Sequence, residues 1–333
     1  MITRRQIAIA LGAGPLAAPV PVAAQTQPAP GLRRIGFLGL RSRSTALNPD
    51  PLVDAFVQGM RELGYIEGKN LVIEWRFADY NFDRLAGLAT ELIQTKPELI
   101  VTHYSVAAQM LQAQTKTIPI VITASNDPVA SGFAASLARP GGNVTGLSLL
   151  TVDLSGKQIE LLRIMVPGLS RVAVLVNPVN TTHAAIVKQI QIAAQPVGIE
   201  VVTVEANNAE AIERGIALMR RDRAGAFIVA TDAVFSGQIK LIGATSMKER
   251  MPSMFSFSEF VKAGGLMSYG LNVAENWRRA ATFVDKIFKG AKPGDLPFEQ
   301  PMRIFLVVNR GAAKALGLTI PRELLLKADE VIE

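Results

Sequence analysis

The sequence contains no cysteine and only two histidines among its 333 residues. Without cysteine the chain can form no disulfide framework, no thiol nucleophile and no thiolate metal site. No cluster of His, Asp and Glu has the spacing of metal ligands, and no Gly-x-Ser-x-Gly elbow is present. No Walker loop occurs, and no Gly-x-Gly-x-x-Gly follows a predicted strand. We therefore expect no catalytic constellation, no metal and no cofactor.

Aromatic residues make up only 6% and charged residues only 19% of the sequence, whereas 49% is hydrophobic. This composition is typical of a well-buried α/β protein, and the chain is long enough for two domains. The formal charge of +7 includes Arg4 and Arg5, which lie in a segment that we expect to be removed, so the remainder would carry about +5 (7 − 2). Because its lysines and arginines are scattered, no nucleic-acid partner is predicted.

Long hydrophobic runs are also missing, and the one at the N-terminus is short. Arg4 and Arg5 precede an apolar run at 7–16, and small residues follow up to Ala24. This order is typical of an export signal, whereas the run is too short to span a bilayer. We predict a signal peptide at 1–24, cleaved near Ala24, a linker at 25–32 and a periplasmic location; the Sec and twin-arginine routes remain alternatives. The other interpretation is an apolar tail without a targeting role.

The body of the chain alternates short apolar runs with amphipathic segments, which predicts parallel sheets with helical crossovers. Two comparable sets, the second beginning near residue 157, predict two similar α/β lobes. The stretch 263–270 is rich in small residues and is interpreted as a crossing between lobes beside a cleft; a loop-to-strand junction is the alternative. A second crossing is predicted at 290–294. The predicted first lobe comprises 33–149 and 266–293, and the second comprises 150–265 and 294–333.

Polar residues follow many of the predicted strands, where open parallel sheets bind their ligands. Hydroxyls, amides, carboxylates and aromatic rings facing one cleft would suit a small polar or zwitterionic ligand. Helix capping and turn formation are the competing explanation for several of them, and solvation for the charged ones. The candidates are Arg41, Ser42, Tyr104, Ser105, Asn126, Asp127, Asn177, Thr181, Thr182, Asp232, Ser256, Glu259 and Tyr269.

Several stretches together form a distinctive pattern. They are Gly-Met-Arg-Glu-Leu-Gly-Tyr at 59–65, Ala-Arg-Pro-Gly-Gly-Asn-Val-Thr-Gly at 138–146, Gly-Gly-Leu-Met-Ser-Tyr-Gly at 264–270, Lys-Gly-Ala-Lys-Pro at 289–293 and Ala-Leu-Gly-Leu-Thr-Ile-Pro at 315–321. In these motifs the chain resembles the tryptophan-type family of ABC-transporter substrate-binding proteins, over nearly the whole length after the signal.

The resemblance implies a type I periplasmic-binding fold, in which two Rossmann-like lobes are joined by a three-crossing hinge. It also implies a small-molecule ligand held between the lobes, and delivery of that ligand to a permease in the inner membrane. The strand-end loops that the resemblance assigns to the ligand are those at 104–105, 126–127, 177–182, 232 and 256–259. We expect a monomer that does no chemistry on its ligand. A periplasmic sensor ectodomain or enzyme on the same fold is the alternative. At 103–105 the chain has His-Tyr-Ser where relatives often have a Gly/Thr/Ser-Pro-Ala type sequence, so the ligand's identity stays open.

Overall fold

A computed structural model describes residues 31–43, 50–149, 151–300 and 303–333. The predicted signal peptide and most of the linker lie outside these residues. Within the described part, no helix combines the length and apolarity needed to cross a membrane.

The first lobe is a five-stranded parallel sheet in the order β2-β1-β3-β4-β5, with helices on both faces. Strands β3, β4 and β5 are buried at every position, which explains why β3 and β4 each begin with a continuous apolar run instead of an alternating pattern. The elements are β1 (Arg33–Gly39), α1 (Pro51–Glu62), β2 (Leu71–Phe77), a 3-10 turn (Phe82–Arg84), α2 (Leu85–Gln94), β3 (Leu99–Thr102), α3 (Ser105–Gln114), β4 (Ile120–Ser125) and β5 (Val144–Ser148).

The second lobe begins with a matching set of strands and helices. It consists of α4 (Thr151–Met165), β6 (Arg171–Val176), α5 (His183–Ala194), β7 (Glu200–Glu205), α6 (Ala209–Arg221), β8 (Ala226–Val229), α7 (Ala233–Gly237), α8 (Ile239–Lys248), β9 (Ser253–Phe255), α9 (Ser258–Lys262) and β10 (Met267–Gly270). The chain then returns to the first lobe as α10 (Val273–Phe288). It finally re-enters the second lobe as β11 (Phe305–Asn309), α11 (Arg310–Leu316), α12 (Arg322–Lys327) and β12 (Glu330–Ile332).

The second sheet has seven strands in the order β12-β11-β10-β9-β8-β6-β7. Its strands are parallel except that β10 and β11 pair antiparallel, so β11 and β12 run opposite to the others. The prediction of two α/β lobes with parallel sheets is confirmed, with this reversed pair as an addition.

Two crossings lie later in the chain than predicted. Strand β10 pairs with β9 through Met267 and Met254, so the glycine-rich stretch belongs to the second sheet and the chain crosses at 271–272. Glu299 exchanges main-chain hydrogen bonds with the edge strand β5 of the first lobe, so the next crossing follows residue 299 instead of 293. In both places the main chain continues a sheet that already exists, because a strand left unpaired would bury unsatisfied N–H and C=O groups.

Helix α10 packs against α1 and completes the first lobe. A Cβ at Gly59 of α1 would lie 2.5 Å from the carbonyl oxygen of Arg278, so the glycine permits this close helix contact. Trp277 is buried with its ring centroid 5.5 Å from Phe37 and 4.9 Å from His103. His103, which follows β3 closely, is therefore part of the core of the first lobe.

Candidate functional site

A cleft of about 460 Å³ lies between the two lobes at the carboxyl ends of their central strands. This volume is in the range of small-molecule binding sites. The lining of the cleft consists of Phe82, Tyr104, Ser105, Val106, Gln109, Ala124, Asn126 and Ser131 from the first lobe and Asn177, Val179, Asn180, Thr181, Thr182, Asn207, Thr231, Asp232, Ala233 and Val234 from the second.

The structure brings many of the predicted site residues into this one lining. All of them lie in the segments that follow the carboxyl ends of strands, in agreement with the rule that ligands bind beyond the carboxyl ends of parallel strands. The predicted residues in the lining are Tyr104, Ser105, Asn126, Asn177, Thr181, Thr182 and Asp232.

Three other predicted residues, all in the first lobe, lie outside the lining. The guanidinium of Arg41 is paired with Asp50, with Nε 2.6 Å from Oδ2. Ser42 is exposed. Asp127 accepts hydrogen bonds from the N–H groups of Val129 and Ala130 at 3.0 and 2.9 Å, so its side chain closes a turn.

The remaining three belong to the second lobe and also lie outside the lining. The amide of Gln158 donates to the hydroxyl of Ser256 at 3.2 Å and to the carbonyl oxygen of Tyr269 at 3.1 Å. The Tyr269 side chain packs on the core of its own lobe. Glu259 is half-buried on the short helix α9.

Asp232 is the centre of the polar network on the second lobe. Its Oδ1 accepts from the Asn177 amide at 3.1 Å and from the Val234 N–H at 2.7 Å, where it caps α7. Its Oδ2 accepts from the Asn180 amide at 2.7 Å. Three donors thus hold a carboxylate that is only 6% exposed, so it can remain buried while facing the cleft.

His183 supports this network from below. Its Nδ1 accepts from the Asn177 N–H at 2.9 Å, and its Nε2 lies 3.1 Å from the Thr231 carbonyl oxygen. Because the first contact requires an unprotonated Nδ1, the ring is neutral with its proton on Nε2. Burial lowers the pKa of His183, which agrees with this neutral form.

The two lobes contact each other directly across the cleft. The Asn126 amide of the first lobe donates to the Thr231 carbonyl oxygen at 3.0 Å and lies 3.4 Å from the Thr182 hydroxyl of the second. The Tyr104 side chain also lies beside Ser236 of the second lobe, and burial raises the pKa of Tyr104. The structure is therefore that of a closed pair of lobes.

Several lining residues were missed by the sequence analysis. Asn180 lies within the loop 177–182, and Thr231 directly precedes Asp232, so the strand-end rule could have found both. The Thr231 hydroxyl is buried and has no hydrogen-bond partner among the described residues. Phe82 lies in a short 3-10 turn after the edge strand β2, where the sequence shows no pattern of polar residues that would predict a binding site.

Comparisons with known proteins agree with this geometry. A family model described as ABC transporter substrate binding protein matches residues 49–332. A tyrosine-binding protein of Clostridioides difficile (strain R20291) is 24% identical over 270 residues, which are 81% of this chain and 77% of that protein.

Two solved structures are similar over 90% of this chain and 99% of their own. The ABC domain in complex with L-Trp from Streptococcus pneumonia has a TM-score of 0.82 and 25% identity. The ligand-free, open structure of a substrate-binding protein with adhesive properties from Clostridium difficile has a TM-score of 0.67 and 26% identity.

Proposed function

The chain belongs to the family of ABC transporter substrate binding proteins, and from that premise we propose that it captures an aromatic α-amino acid between its lobes. The family consists of ligand-binding proteins of transporters and not of enzymes. The observation that carries the proposal is one fixed, buried carboxylate in a cleft that is otherwise lined by neutral side chains.

Asp232 is the ligand's ammonium partner in this proposal. In the described part of the lining it is the only carboxylate, and no Lys, Arg or His accompanies it. An opposite charge in a site of low dielectric interacts more strongly than in water, so a cationic group is favoured next to Asp232. The amides of Asn177 and Asn180 keep the carboxylate oriented by hydrogen bonds at 3.1 and 2.7 Å.

The ligand's carboxylate is received by neutral donors of the first lobe. Helix α3 is ten residues long and starts at the cleft, and its N-cap residue Tyr104 makes no side-chain capping bond. The N–H groups of its first turn and the Ser105 hydroxyl are therefore suited to an anion. An ammonium site on one lobe and a carboxylate site on the other make a zwitterion bridge both lobes.

The ligand's side chain is expected to contact the apolar part of the lining. Phe82 and Val106 contribute from the first lobe, and Val179 and Val234 from the second. The relatives support an aromatic ring here, because one is a tyrosine-binding protein and another is a complex with L-Trp. At nearly equal identity, the TM-score to the L-Trp complex exceeds that to the open, ligand-free structure, as a closed binding conformation predicts.

The cellular role completes the proposal. Substrate-binding proteins of this family act outside the cytoplasm. We propose export by the N-terminal signal with cleavage near Ala24, function as a periplasmic monomer, and delivery of the ligand to an inner-membrane permease for import. The ligand shifts the equilibrium between the open and closed forms through its differential affinity for them. The closed form would then present to the permease a surface that the open form lacks.

The test is calorimetry on protein that has been unfolded and refolded to remove any bound solute. We expect binding of L-tryptophan, L-tyrosine or L-phenylalanine, and a free energy of unfolding raised by about 2.7 kcal/mol at 100 times the Kd. Tryptamine, which lacks the carboxylate, and indole-3-propionate, which lacks the ammonium, should each bind more weakly than tryptophan. Binding of a sugar and of none of the amino acids would refute the proposal.

A further inference from the structure

The short helix α7 of the second lobe packs against the first lobe. Ala233 shares an apolar cluster with Leu38 and Tyr104 of the first lobe. Ser236 lies beside Tyr104. These small residues lie three positions apart on one side of the helix, so α7 closes directly onto the first lobe.

Gly237 ends this helix against an aromatic ring. A Cβ built on Gly237 would lie 2.8 Å from Cδ1 and 3.1 Å from Cγ of Tyr80, closer than carbon atoms approach in packed proteins. The backbone of Gly237 is not in the left-handed region, so its own conformation does not require glycine. Alanine is favoured over glycine in helices, so the local sequence alone would prefer alanine here. The ring of Tyr80 is what excludes a side chain.

Tyr80 is held in place from its own lobe. Its φ of 58° and the φ of 55° at Asp79 put two successive residues in the left-handed region, which is unfavourable for residues other than glycine. The Tyr80 N–H donates to the Leu40 carbonyl oxygen at 2.6 Å, which holds the turn against the end of β1. The Tyr80 ring packs on the apolar cluster that contains Leu38 and Tyr104, and Tyr80 is not part of the cleft lining.

We propose that Tyr80 and Gly237 are positioning residues that set ligand affinity by stabilising the closed form without contacting the ligand. The proposal rests on the proposed function, since it assumes that closure accompanies binding. The same five-residue helix carries Asp232 at its N-cap and Gly237 at its other end. Seating Gly237 against the ring therefore fixes the helix that places the ammonium partner.

The first test combines two substitutions, one that adds a methyl group at Gly237 and one that removes the ring of Tyr80. In Gly237→Ala the added methyl group meets the ring only when the lobes are closed, so L-tryptophan should bind about 5- to 150-fold more weakly, the effect of an overpacked contact. The unliganded protein should unfold at the same or a higher temperature, because alanine favours the helix. Adding Tyr80→Ala should recover only part of the loss, because it gives the methyl group room but also removes the ring contact that stabilises the closed form, whereas Tyr80→Phe, which keeps the ring, should recover none.

Gly87→Ala is the matched control for this substitution. Gly87 is also a helical glycine without left-handed φ, and a Cβ added there would have no heavy atom of the surrounding structure within 4 Å. Its substitution should leave affinity for L-tryptophan unchanged. An affinity of Gly237→Ala equal to that of wild type, or an equal loss with and without the Tyr80 ring, would overturn the proposal.

A distance measurement separates this proposal from the choice of ligand. Because the sequence has no cysteine, spin labels attached at Val129→Cys and Ala184→Cys, one exposed site in each lobe, report on lobe separation alone. Gly237→Ala should deplete the short, closed distance relative to wild type, and the double variant with Tyr80→Ala should restore it in part, both with and without L-tryptophan. If wild type fails to bind any amino acid, the proposed function fails while this comparison still decides the contact. Identical distance distributions in wild type and Gly237→Ala would refute it.

Discussion

Replacing the buried carboxylate by its neutral isostere, in Asp232→Asn, tests the electrostatic basis of the site. The new amide can keep one oxygen toward the Asn177 amide and the Val234 N–H, which donate to Oδ1 at 3.1 and 2.7 Å. Its NH₂ group then faces the Asn180 amide, which donates to Oδ2 at 2.7 Å. Asn180 cannot turn over without loss, because its own oxygen accepts from the N–H and hydroxyl of Thr182.

The magnitude follows from these contacts. The hydrogen bond lost between residue 232 and Asn180 lowers the free energy of unfolding by roughly 1 kcal/mol. The loss is no larger because the side chain at 232 still caps α7. The ligand loses a charge-assisted bond between its ammonium and Asp232, which contributes about 1.5–3 kcal/mol. The affinity for L-tryptophan should therefore fall roughly 10- to 150-fold, since about 1.4 kcal/mol corresponds to a factor of ten.

The assay is titration calorimetry with L-tryptophan, accompanied by thermal unfolding of the same samples. Asp127→Asn is the matched control, because Asp127 is also an aspartate after a strand that caps its own turn, but it lies outside the cleft lining. Its affinity should stay within about twofold of wild type. Indole-3-propionate, which has no ammonium, should lose little affinity in Asp232→Asn. Equal affinities for tryptophan in wild type and Asp232→Asn would refute the assignment of the ammonium site.

Two predictions concern stability. The only two histidines, His103 and His183, have pKa values lowered by burial, for His103 also by the charge of Arg41. Because the unfolded chain binds more protons, the contribution of the two histidines to the free energy of unfolding is complete above about pH 6.5 and is lost as the pH falls below it. The loss is at most about 1.4 kcal/mol per pH unit for each histidine. Urea unfolding at pH 7 and 5 measures this loss, and the same dependence of stability on pH in His103→Gln as in wild type would contradict it. In Gly270→Ala a Cβ would lie 1.9 Å from the Ser256 carbonyl oxygen, so the free energy of unfolding should fall by roughly 1–3 kcal/mol or more, and a loss no larger than that of Gly87→Ala would contradict this packing.

The fold could be predicted from the sequence because strand and helix patterns are local. Buried strands such as β3 and β4 are continuous apolar runs, and their alternation with helices indicates parallel pairing. The family resemblance read from the glycine-rich motifs is confirmed by the match over residues 49–332. The crossing was predicted within the stretch 263–270 instead of after it, because glycine marks close backbone approach as well as hinges. At Gly270 the approach is between β10 and the carbonyl oxygen of Ser256.

The site was only partly predictable, because polar residues at strand ends have two uses that look the same in sequence. Asp127 and Asp232 both follow a buried strand and both accept main-chain N–H groups as caps. What separates them is the environment that tertiary structure adds. Asp232 has two amide donors from the loop 177–182 and a place in the cleft lining, whereas Asp127 has neither in the part of the chain that the structure describes.

Closure depends on contacts that no local pattern contains. Asn126 and the Thr231 carbonyl oxygen are 105 positions apart in the chain, and the ring of Tyr80 meets Gly237 from the opposite lobe. In the closed form each contact removes a polar or apolar group from water, and in the open form water replaces it, so each contact is expected to contribute only a small net free energy to closure. Such a balance would let the proposed zwitterionic ligand decide the state of the lobes. If closure is coupled to binding as proposed, the residues that tune affinity include those between the lobes beside the cleft as well as those in its lining.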